Sequence, residues 1–226
     1  MNFIEQNLDQ VWQWASIAAS LIAFGCYELY LRKAGSTAPM KTARSAHAAI
    51  RRQWIKSVMG RPGAEILVIQ TLRNSVMAGS FMASTAVLAL SGTLTLSGFG
   101  NAESRLWHLG TPLTPQDALA ALKLLMLAAS FFVSFLFAAM AVRFFNHAGY
   151  LITTEVPVVE LPARQALAAA YLNRAGHYYS IGLRAFFACV PFLAGLFSTY
   201  LMLPVTVLLL VILHGFDRIP TATDLD

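Results

Sequence analysis

Charge is scarce in this chain. Only 12% of its 226 residues are Asp, Glu, Lys or Arg, about half the share of a soluble domain, which excludes an ordinary water-soluble globule. From Asn74 to Ala102 there is no charged residue at all. Cysteine is nearly absent: Cys26 and Cys189 both lie inside apolar blocks, so neither a disulfide framework nor a thiolate metal site is indicated. The opening MNFIEQNLDQ has Glu5 and Asp9 but no Lys or Arg, whereas a secretory signal needs a basic start, so no cleaved leader is expected. No GxSxG, HExxH, P-loop or GxGxxG motif occurs, nor a repeat of fixed period or a low-complexity tract.

What is present is apolar bulk in long runs. The chain is 57% hydrophobic with mean hydropathy +0.60, and span-length blocks cover about 11–31, 71–98, 117–142 and 181–213. The expected fold is all-α: a polytopic membrane protein, with residues 1–226 forming one integral membrane domain. Its form would be a four-helix transmembrane bundle with one or two cytoplasmic amphipathic helices. The fourth block holds 33 residues, a helix of about 50 Å against a hydrocarbon core of about 30 Å, so it must tilt, protrude or bend. Pro191 and Pro204 are the natural places for a bend.

Basic residues set the expected orientation, because short cytoplasmic loops retain Lys and Arg. Arg32, Lys33, Lys41, Arg44, Arg51, Arg52, Lys56 and Arg61 fall between the first two spans, with no acid between Glu28 and Glu65. Arg143, Arg164, Arg174 and Arg184 mark the connection between the third and fourth. Arg105, Lys123 and Arg218 are left for the other side. Four crossings then put both termini on the non-cytoplasmic side of a cell membrane, such as a bacterial inner membrane. The net charge of +5 is a topology signal, and a nucleic-acid partner is not expected.

Within the first basic loop, KTARSAHAAIRRQWIKSVM sets Ile50, Trp54 and Val58 on one helical face, flanked by Arg51, Arg52 and Lys56. Gly60 and Pro62 end it, and such a helix either lies on anionic lipid or continues the second span into the cytoplasm after a break. In the second basic loop Pro157 and Pro162 precede ARQALAAAYLNRAGHYY, where Leu167, Tyr171 and Tyr178 make a second amphipathic candidate. Thr114-Pro115-Gln116-Asp117 reads as a helix start, with a Thr cap and Pro at the first helical position.

The polar residues of the spans gather at one depth. Gln70, Arg73 and Asn74 begin the second span, Arg143, Asn146 and His147 end the third, His177 and Arg184 open the fourth, and Glu28 ends the first. They are the candidate polar cluster or ligand-binding residues. Two readings stand: snorkelling to headgroups, or convergence on a polar pocket beneath the cytoplasmic loops. Glu28 is the expected partner of an arginine, either Arg32 four residues on or Arg73 or Arg143 across the bundle. His147 and His177 are weak candidates for metal or haem ligands, since they lack a ligand spacing and a hydrogen-bonded structural pair suits them better. No catalytic residue, metal or cofactor is expected, with haem or a metal as the alternative. Ala15-Ala19-Ala23, Ser75-Gly79-Ala83 and Ser130-Ser134-Ala138 form small-residue seams that let helices approach closely and suit a homo-oligomer.

IRRQWIKSVM, then ILVIQTLRNSVMAGSFMASTA, VRFFNHAGYLI and HYYSIGLRAFFACVPFLAGLF, resemble in order and spacing the family catalogued as domain of unknown function 599, found in bacterial and plant membrane proteins. The resemblance implies a four-span membrane protein. It puts Gln70, Arg73, Asn74, Arg143, His147, His177, Arg184 and Pro191 in the family's polar motifs, and it brings no reaction. Three functions fit: an oligomeric structural or scaffolding membrane protein touching anionic lipids, a small-solute or ion transporter or channel, and a histidine-based haem or metal protein. An enzyme is not favoured.

Overall fold

A computed structural model describes residues 3–37, 43–96 and 115–217, and its elements there are helices: α1 (Phe3–Thr37), α2 (Ala43–Val58), α3 (Glu65–Leu96), α4 (Pro115–Thr153), α5 (Leu161–Phe187), α6 (Cys189–Phe197) and α7 (Thr199–Asp217). Among the described residues five stretches are long and apolar enough to cross a membrane: Leu8–Leu31, Glu65–Thr95, Ala118–Thr153, Leu161–Phe197 and Thr199–Asp217. A helix satisfies its backbone polar groups internally, which hydrocarbon demands. The chain is a multi-pass membrane protein.

The last two stretches divide the block that the sequence offers as one long span. Pro191 occupies the third position of α6, where it has no N–H for the Phe187 carbonyl, and α5 ends at Phe187. Ser198 is then extended, with φ −154° and ψ 128°, and the chain reverses. A Cβ placed on Gly195 would lie 3.3 Å from the Met202 sulfur. Arg184 reaches Asp217 at 2.7 Å, although along one straight helix they would stand about 50 Å apart. Pro204, the other expected bend, lies inside α7. The predicted start at Pro115 is the first residue of α4, while its Thr114 cap lies outside the described residues.

The contacts divide the chain into two compact units. One takes residues up to 33, with 86–132 and 185–215; the other takes 34–85, 133–184 and the end of α7 from 216. The first is built on Ile17, Leu119, Leu127, Phe131, Phe192 and Met202. In it Thr199 and His214 of α7 meet Ser16 and Tyr30 of α1, so these two helices run parallel. The second joins Ile55 and Met59 of α2, Val68 and Leu72 of α3, Phe145 and Ile152 of α4, and Ala168 and Leu172 of α5.

Of the face expected for α2, Val58 is buried and Trp54 packs against the core, and the buried stripe is shifted towards Ile55 and Met59. Ile55, Val58 and Met59 are buried, whereas Ile50 is 61% exposed. The three buried residues, at i, i+3 and i+4, enter a core in which α5 offers Ala168, Ala169 and Ala175. Between α2 and α3 the helix is broken, where Gly60 and Pro62 were expected to end it. Gly60 and Gly63, at φ 84° and 83°, make a turn that β-carbon-bearing residues adopt at a cost.

Small residues set the closest helix approaches in this unit. A Cβ on Gly79 would stand 2.8 Å from Val142 Cγ2, and one on Gly182 would stand 3.2 Å from the Ser134 carbonyl oxygen and 3.3 Å from the Ala138 nitrogen. Two of the three seams are therefore used within the chain. In the third, Ala15 is exposed and Ala19 and Ala23 are half-buried. Hydroxyls in the spans mostly donate to carbonyls three or four residues back, as Ser20 does to Ser16, Ser75 to Thr71, Ser130 to Leu127 and Thr206 to Met202. The buried Ser134 hydroxyl has no partner among the described residues.

Candidate functional site

Helices α3 and α4 frame an open groove of about 450 Å³ in the second unit. Its walls are apolar, with Ile69, Leu72 and Val76 from α3 and Phe145 from α4. Its polar groups are Arg73, Asn146, Tyr150 and Thr153. Helical periodicity explains the set: Ile69, Leu72, Arg73 and Val76 are spaced as one α3 stripe, and Asn146, Gly149, Tyr150 and Thr153 as one α4 stripe. Gly149 keeps the floor low, since a Cβ there would already touch Leu72 at 3.4 Å. The Thr153 hydroxyl is turned to the Gly149 carbonyl at 3.0 Å. A guanidinium, a side-chain amide and a phenol are thus left over an apolar trough, an arrangement suited to an anionic head with a hydrocarbon body.

The other sequence candidates stand around this groove or apart from it. Gln70 and Asn74 are exposed on α3 and do not line it. Arg143 is exposed, one turn from Asn146. His147 turns towards α5, its ring 6.3 Å from those of Tyr150 and Tyr171. His177 is exposed, with its ring 6.1 Å from that of Tyr178. Among the described residues no three His, Cys, Asp or Glu side chains gather as a metal site. Glu28 belongs to the first unit.

Arg184 has a carboxylate partner that the sequence reading did not offer. One of its terminal nitrogens donates to both Asp217 oxygens, at 2.7 and 2.9 Å. With Asp217 read as lying beyond an outward-running span, no spacing rule could join the two. Arg51, a flanking charge by its sequence position, is also held by a partner. Its Nε donates to the Asn173 side-chain oxygen at 3.0 Å, and a Cβ on Gly176 would sit 2.9 Å from its guanidinium carbon. The signal was present in the spacing, because Arg51, Ile55 and Met59 recur every four residues and Ile55 is fully buried.

Two further groups escaped the sequence reading. Arg174 lies 5.5 Å from the Phe144 ring centre and 5.8 Å from that of Tyr178, and its Nε donates to the Tyr178 hydroxyl at 3.2 Å. In the first unit the Tyr200 hydroxyl donates to Asp9, which also accepts from Gln13 at 2.8 Å. Ser16 donates to the Thr199 carbonyl at 3.0 Å in the same corner.

A family described as "Protein of unknown function, DUF599" matches residues 15–222. No curated protein and no solved structure matches the chain.

Proposed function

The chain belongs to the DUF599 family, proteins of unknown function, and we infer that it is an oligomeric scaffolding protein of the cell membrane that holds an anionic lipid headgroup at the cytoplasmic border. The observation that carries this reading is the α3/α4 groove, where Arg73, Asn146 and Tyr150 stand over walls made by Leu72, Val76 and Phe145. An amphiphile matches both halves at once. The guanidinium fork grips a phosphate through two parallel hydrogen bonds, the amide and phenol supply further donors, and the acyl chain covers the apolar trough. The open form of the groove favours a lipid that enters sideways over a solute held in a closed chamber.

Orientation follows from the loops. With Arg32 to Arg61 and Arg143 to Arg184 on the cytoplasmic side, α1 begins outside. Five crossings then bring the end of α7 to the cytoplasmic side, next to Arg184, instead of leaving it outside as four crossings would. Assembly uses the α1 stripe of Ala15, Ala19 and Ala23, because the Gly79 and Ser134 seams are occupied within the chain.

Native mass spectrometry of the protein released from membranes containing phosphatidylglycerol tests the reading. The parent should retain anionic lipid and run as an oligomer. Arg73→Lys and Asn146→Leu should each lower lipid occupancy several-fold at unchanged mass, since Lys lacks the planar fork. A monomeric parent would refute the assembly, and equal occupancy in both variants would refute the groove.

A further inference from the structure

A second cavity lies away from the α3/α4 groove, between α2 and α5. It measures about 660 Å³ and is bounded by Arg52 and Lys56 on one side and by the first half of α5, with Gln165, Ala169 and Asn173, on the other. Three observations converge on it. Arg52 and Lys56 are four residues apart, share a face of α2 and are exposed, and neither pairs with an acid among the described residues. Asn173 accepts from Arg51 Nε at 3.0 Å through its carbonyl oxygen, which leaves its NH2 group as a donor at the cavity wall. Arg51 itself is held against Gly176, so its guanidinium adds positive potential behind the wall.

We propose that the α2/α5 cavity is a phosphate-binding site, in which Arg52, Lys56 and the Asn173 amide hold a phosphate group and the alanines of α5 bed the body that carries it. Two cations and a neutral donor around one opening, with no carboxylate among the described lining residues, match a group with two negative charges and several acceptor oxygens. The volume exceeds what phosphate alone would fill and lies in the range of small-molecule sites, so the ligand is an organic phosphate. Ala166, Ala169 and Ala170 present only methyl groups, which bed an apolar or planar body without adding polar selectivity. The group arrives either on a soluble phosphate ester or on a phospholipid headgroup. Arg52 and Lys56 lie on a helix outside the crossing segments, so both sources reach it. This site stands independently of the lipid reading of Arg73.

The test uses the whole protein in nanodiscs of neutral phosphatidylcholine. One arm titrates pyrophosphate and adenosine monophosphate against sodium chloride of matched ionic strength, read by isothermal calorimetry. The other exchanges part of the lipid for phosphatidic acid and reads retained lipid by native mass spectrometry. R52Q/K56Q removes the two exposed cations without touching the core, and K33Q/R61Q is the charge-matched control. Arg73→Lys is carried in the lipid arm, so that loss from the α3/α4 groove is distinguished from loss here. Saturable binding in either arm, weakened about tenfold or more in R52Q/K56Q and little changed in the control, supports the site, and the responding arm identifies the source of the phosphate. Absence of saturable binding in both arms overturns it. Equal weakening in the control pair overturns it too, since net charge would then account for the effect.

Discussion

Removing one partner of the Arg184–Asp217 pair should weaken the fold by an amount that its burial sets. The side chains are 12% and 19% exposed, and a single guanidinium nitrogen reaches both carboxylate oxygens at 2.7 and 2.9 Å. At an effective dielectric near 20, two unit charges about 3 Å apart attract by about 5 kcal/mol, and desolvation returns much of this. Surface pairs are worth about 0–1 kcal/mol, while truncating one member of a buried pair costs about 3–5 kcal/mol. This pair lies between those limits, so a coupling of about 2 kcal/mol is expected. Both residues also make other contacts, and single substitutions therefore report more than the pair. A double-mutant cycle of Arg184→Gln and Asp217→Asn isolates it. Unfolding in mixed micelles of mild detergent and dodecyl sulfate supplies the free energies. The coupling should persist at about 0.5 M salt, because a pair this enclosed is poorly screened. A coupling below about 0.5 kcal/mol, or one abolished by salt, would refute the claim that the end of α7 is anchored to α5.

Three other substitutions probe the packing. Gly182→Leu should cost about 3 kcal/mol or more in the same unfolding assay, because its Cβ meets backbone atoms of α4 at 3.2 and 3.3 Å, while Gly25→Leu, with open space at its Cβ, should be near neutral. Ile55→Ala should cost about 3 kcal/mol and Ile50→Ala almost nothing, the reverse of what a helix lying on lipid through Ile50 would give. Ser134→Ala should be neutral or stabilising by up to about 1 kcal/mol, as it removes a buried hydroxyl that has no partner among the described residues, and clear destabilisation would point to a bond that the helix geometry does not reveal.

Much of the architecture is legible in the sequence because hydrocarbon leaves few options. Apolar runs such as that from Asn74 to Leu96 must be helical where hydrocarbon surrounds them. Pro115 marks a helix start for the same local reason that it would in water. The reversal at Ser198 is different. It stands between Phe197 and Thr199 in a block that is apolar on both sides, and nothing in the composition separates one bent helix from two antiparallel ones. The rotation of a helix is equally hard to read where it is apolar all round, so the turning of Arg73 and Asn146 towards one groove and of His147 towards α5 required the packing itself. With α2 the periodicity was present but ambiguous. Ile50, Trp54 and Val58 mark one stripe, and the core takes Trp54 and Val58 together with the adjacent Ile55, which carries Arg51 to Asn173 and leaves Ile50 exposed. Asp217 and Asn173 could not be found by spacing, because their partners lie 33 and 122 residues away.

The side of the membrane on which every polar group works depends on the number of crossings. Single cysteines at Asn2 and Asp226, in a chain from which Cys26 and Cys189 have been removed, can be labelled with a membrane-impermeant maleimide in intact cells and in inverted vesicles. Five crossings with basic loops inside predict that Asn2 labels only in intact cells and Asp226 only in inverted vesicles. Labelling of both positions from the same side would contradict the reversal at Ser198 and return the chain to an even number of spans.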